Sequence, residues 1–118
     1  MIKPILFLTL VAVPLYLAAQ NAPTGNPTKG QQTFLTENCY YCHGTVGQGS
    51  RDGARIAATA LTADGLIRYV RKPAGAMPAY TEKVISDQDL RDIYAYLKSQ
   101  PAAKAPKDIP ILEQSRDK

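Results

Sequence analysis

The stretch NCYYCHGT, residues 38–45, holds both cysteines of the chain, Cys39 and Cys42, and its only histidine, His43. On a helix, positions i, i+3 and i+4 share a face, so the two thiols and the imidazole point to one side. Cys-x-x-Cys-His is the attachment sequence of a c-type haem. Two thiols add to the haem vinyl groups, and the adjacent imidazole comes under the iron as axial ligand. The second ring nitrogen then needs an acceptor to fix the ring. Three rival readings are weaker. Structural zinc needs four ligands, and only three Cys and His exist here. A thioredoxin-like Cys-x-x-Cys wants a βαβ context, which this chain lacks. A plain Cys39–Cys42 disulfide closes a tiny loop, where stabilisation is least, and leaves His43 without a role.

Outward from the motif, the pattern is helical. TKGQQTFLTENCYYCHG, residues 28–44, reads as one helix with apolar Phe34 and Leu35 and Gly44 as a stop. Residues 45–61 read as a loop punctuated by Gly47, Gly49 and Gly53. A second helix is expected over 62–72, with Thr62 as cap, a stripe of Leu66, Ile67 and Val70, and Pro73 as stop. Residues 73–85 form a second loop around Met77. The last helix opens at Ser86 with Asp89 three residues on, a capping-box pattern, and carries Leu90, Ile93, Tyr94 and Leu97 on one face. Pro101 ends it. No repeat and no useful strand is evident, so the expected class is all-α, three to four helices and loops around one covalent haem.

With a haem at His43, Met77 becomes the candidate for the sixth iron position. It is the only methionine after Met1, it lies 34 residues beyond His43, and Pro73 and Pro78 flank it. A thioether is an axial partner to His that raises the reduction potential, and the prolines stiffen the loop presenting it. Taken alone, a core methionine is the plainer reading.

On these residues the chain resembles a small class I cytochrome c over about residues 28–99. The carriers are GQQTFLTENCYYCHG, AMPAY and DIYAYLKS. The resemblance implies that Gly30 and Phe34 of the first helix pack across the last helix opposite Tyr96. It also implies a carbonyl acceptor for His43 in the loop after the motif. The family often has proline there; this chain has Ala54. A less specific likeness, through the tail ending in KDIPIL, is to the small cytochrome subunits of periplasmic dehydrogenases.

The flanking segments set the compartment. Lys3 followed by the apolar run 5–17, with Pro14 inside it and small residues after it, reads as an export signal over residues 1–19. Cleavage is expected after Ala19, or after Ala22; a retained anchor is the alternative, and only then is the membrane a partner. Residues 20–27 read as linker, 28–99 as the domain, and 100–118 as a Pro/Lys-rich tail. Its Ile109, Ile111 and Leu112 form an apolar knot, read as a surface clip or a loose end. The expected location is the periplasm. Fourteen Lys and Arg less Lys3, against 10 acids, leave a formal +3. That is too weak and too mixed for nucleic acid. Arg51, Arg55, Arg68, Arg71, Lys72 and Lys83 outnumber Asp52, Asp64 and Glu82 around the two loops, which suits docking to an acidic partner.

The expected function is one-electron transfer through His43/Met77-ligated haem c, not catalysis. The chain is a free carrier or a redox-enzyme subunit, with a dehydrogenase or a terminal oxidase as partner. The alternative is a gas sensor or peroxidase-like protein with a labile sixth ligand. The absence of a second histidine counts against the peroxidase.

Overall fold

A computed structural model describes residues 24–116. The expected export signal and the first half of the linker lie outside these residues. Five α-helices and one short 3-10 helix make up the described chain, with no strand among the described residues.

Helix α1 spans Pro27–Thr36. Asn26 caps it by accepting from the Thr28 and Lys29 amides, and Pro27 sits at the first turn, where no amide partner is missed. The expected single helix to Gly44 is corrected here: it breaks at residues 37–39. Asn38 adopts φ 60°, the left-handed region that Asn tolerates best after Gly. Around it the Cys39 amide donates to Phe34 O and the Asn38 amide to Leu35 O, the paired bonds of a Schellman stop. Helix α2, Tyr40–His43, restarts at once.

Helix α3 spans Ala63–Arg71, with the Thr62 hydroxyl accepting from the Gly65 amide. Helix α4 spans Asp87–Ser99 and carries the expected capping box between Ser86 and Asp89. A 3-10 turn at Pro106–Asp108 leads into α5, Pro110–Arg116. The expected tail knot is therefore helical in part, and α5 packs on that 3-10 turn. Ile111 and Leu112 are exposed. Among the described residues the α-helices thus number five because the first one breaks and the tail adds another.

The core lies where α1 and α3 meet α4. Phe34, Leu66, Ile67, Ile85, Leu90, Ile93, Tyr96 and Leu97 form one buried cluster. Gly30 lets α1 approach closely: a Cβ there would lie 1.9 Å from Asp92 O on α4. One turn along, the rings of Phe34 and Tyr96 are tilted with centroids 5.7 Å apart, an attractive edge-inclined pair. The packing implied by the resemblance is therefore present. Asp92 is buried, yet its carboxylate accepts from the Asn26 amide at 2.7 Å and Gln88 Nε2 at 3.0 Å. That ties the chain's entry into α1 to α4.

Candidate functional site

The Schellman stop sets the site up. It turns the chain so that Cys39 leaves α1 packed against the core, while α2 carries Cys42 and His43 outward. Cys39 still has helical dihedrals, and its carbonyl accepts from the His43 amide at 3.1 Å. The three motif residues therefore occupy one helical turn despite the break. Both thiols are free; Cys39 is half-buried and Cys42 exposed. Burial, more than the nearby Glu37 carboxylate, pushes the Cys39 thiol up to about 11, so it is protonated at neutral pH.

The loop after the motif wraps back on this turn. The Gly49 amide donates to His43 O at 2.7 Å, and the Ser50 hydroxyl to Cys42 O at 2.6 Å. Gly47 O accepts from the Ile56 and Ala57 amides. Gly49 sits at φ 88°, which an L side chain resists, and a Cβ on it would crowd the Arg55 amide. These bonds bring the Ala54 carbonyl to 2.7 Å from His43 Nδ1. A carbonyl only accepts, so Nδ1 carries the proton and Nε2 presents its lone pair. The acceptor is thus Ala54, as the resemblance implied, with alanine in place of proline.

Met77 lies half-buried in the second loop. Between residues 73 and 79 no hydrogen bond of good geometry is made beyond a loose turn at Gly75 and Ala76. The loop is held at its ends instead. The Tyr80 amide donates to Val70 O at 3.2 Å. Arg71 donates to Tyr80 O at 3.0 Å, to Ile85 O at 2.9 Å and to the Asp87 carboxylate at 2.5 Å. The Tyr80 hydroxyl donates to Glu37 O at 3.3 Å, in the stop that ends α1. Burial raises the Tyr80 phenol above its usual range, and the two cysteines and Glu37 add to this. The Tyr80 side chain therefore stands on the cysteine side of the domain.

Sequence reading missed Arg71 and Tyr80 as anchors. The available signals were an aromatic two residues after Pro78 and an arginine at the end of α3. Of the expected basic surface, Arg51 pairs with Asp52, and Arg71 is consumed by the loop. Asp64 is taken by Arg91 of α4 at 3.0 Å. Arg55 donates to Pro101 O at 2.5 Å, where the tail begins.

A Cys-x-x-Cys-His turn that directly follows a helix crossed by α4 at Gly30 defines a c-type cytochrome domain. Residues 25–97 match the family model described as cytochrome c oxidase, cbb3-type, subunit III, and the chain belongs to that family. Comparison with curated proteins and with solved structures gives no significant match. Membership brings covalently bound haem c with its iron, and haem-based electron transfer. It also points to a redox partner within an oxidase assembly. No helix among the described residues is long and apolar enough to cross a membrane.

Proposed function

We propose that this chain passes single electrons through one haem c, which Cys39 and Cys42 would hold by thioethers and His43 and Met77 would ligate at the iron. The donor chemistry suits that group: two free thiols and an imidazole nitrogen converge on one turn. The observation that carries the reading is the 2.7 Å bond from His43 Nδ1 to Ala54 O. It fixes the tautomer, orients the ring and makes Nε2 the stronger donor to a metal. Bound there, the haem supplies a one-electron ferric/ferrous couple. The protein's part is to keep the ligand nitrogen aimed, to present Met77 on a proline-flanked loop and to exclude water with the core beneath Cys39. If His43 and Met77 both held the iron, the chain would leave no open position to a substrate, and transfer would be outer-sphere.

The domain works in the periplasm, as a carrier or as the electron-transfer subunit of a redox enzyme, with a dehydrogenase or terminal oxidase as partner. The leader sequence and the family's oxidase context support this placement. Visible spectra of the haem-loaded protein, oxidised and reduced, with and without carbon monoxide, test the ligation. A low-spin spectrum unmoved by carbon monoxide is expected, and Met77→Ala should make the reduced form bind it. A wild-type ferrous form that is high-spin and binds carbon monoxide readily would overturn the reading in favour of a sensor or peroxidase-like protein.

A further inference from the structure

We propose that Arg71 and Tyr80 are positioning residues for the sixth ligand, clamping the Met77 loop to the haem-bearing turn. The proposal rests on Met77 as that ligand and says what keeps it in place.

The loop has almost nothing of its own to hold its shape. Its interior forms no well-made hydrogen bond, and Gly75 has open space around it. A methionine on such a segment would be released readily if the ends were free. The ends converge on one residue. Tyr80, three positions after Met77, is fixed through its amide to Val70 O, through its carbonyl to Arg71 Nη1 and through its hydroxyl to Glu37 O. Three residues of chain reach at most about 10 Å, so fixing Tyr80 confines Met77. Arg71 adds the second point. Its planar fork reaches Tyr80 O and Ile85 O together, closing the return of the loop onto α4. An ammonium group presents no such fork. The Glu37 contact joins the methionine side to the cysteine side, because Glu37 is the cap residue two positions before Cys39.

The test is a titration of the ferric haem-loaded protein with imidazole, which competes for the sixth position. Tyr80→Phe keeps the ring and its packing and removes only the hydroxyl; Arg71→Lys keeps the charge and removes the fork. Each should raise imidazole affinity about two- to tenfold, the range of one net hydrogen bond. In a Met77→Ala background, the same two changes should alter affinity by less than about twofold, since no protein ligand remains to be positioned. Unchanged affinity in both single variants, alongside an increase for Met77→Ala, overturns the clamp and leaves Met77 as ligand. An increase that persists at full size in the Met77→Ala background also overturns it, because the effect would then be general loosening. If Met77→Ala itself leaves imidazole affinity unchanged, the sixth-ligand reading fails and the clamp falls with it.

Discussion

Tyr96 performs two tasks with one side chain. Its ring packs on Phe34 at the α1–α4 crossing, and its hydroxyl donates to Thr45 O at 2.8 Å. Thr45 lies two residues after His43, so this bond fastens the start of the ligand loop to α4. Tyr96→Phe keeps the ring and should cost about 1 kcal/mol in denaturant unfolding. The pH dependence has a definite sign. Burial raises the Tyr96 phenol above its ordinary value near 10. The folded chain therefore holds this proton where the unfolded chain has released it. The contribution is fully present below pH ~10 and is lost as pH rises through the raised value. Tyr96→Phe should flatten the alkaline decline in stability; an unchanged decline would remove Tyr96 as its source.

Gly30 governs the crossing of the two largest helices. A methyl group there meets the Asp92 carbonyl at 1.9 Å, and the obstacle is backbone, which cannot swing aside. Gly30→Ala should force α1 and α4 apart and destabilise the haem-loaded protein by roughly 3 kcal/mol, read from the denaturant midpoint. A loss under about 0.5 kcal/mol, the ordinary scatter of surface changes, would show that the helices separate freely. Much at this scale was legible in sequence. Thr62, Ser86 and Asp89 announce their helices because capping is local chemistry. The Cys-x-x-Cys-His turn was legible for the same reason. The break at Asn38 was not, because the segment reads as continuous helix and only the Schellman bonds reveal the stop. Arg71 and Tyr80 were hidden for a different reason. Their partners are backbone carbonyls, at 9 and 43 residues' separation, and a carbonyl leaves no mark in the sequence. Ala54 was expected only through the resemblance, since any residue supplies that acceptor.

At the scale of the described chain, the core is small and lopsided. Among the described residues nine apolar side chains are buried, and all but Ala57 and Ile85 belong to α1, α3 and α4. Two long connections, one leading from His43 to α3 and one from α3 to α4, contribute those two alone. Loops of such length in a compact domain need something to pack upon. The first is stitched to the His43 turn and to Tyr96, the second to Arg71 and Glu37, so both border the motif. A protein core of this size rarely supplies more than about 3–5 kcal/mol by itself. A group bound only by the folded chain adds directly to stability. Covalent haem is therefore expected to be part of the folded state. The double variant Cys39→Ala, Cys42→Ala, prepared without haem, should lack the cooperative thermal transition that the haem-loaded protein shows by circular dichroism. Its helical signal should fall as well, since the turn at residues 40–43 and the packing of both loops depend on the filled site. A cooperative melt at the same temperature in the haem-free variant would mean that the three-helix core stands alone and that the haem serves electron transfer only.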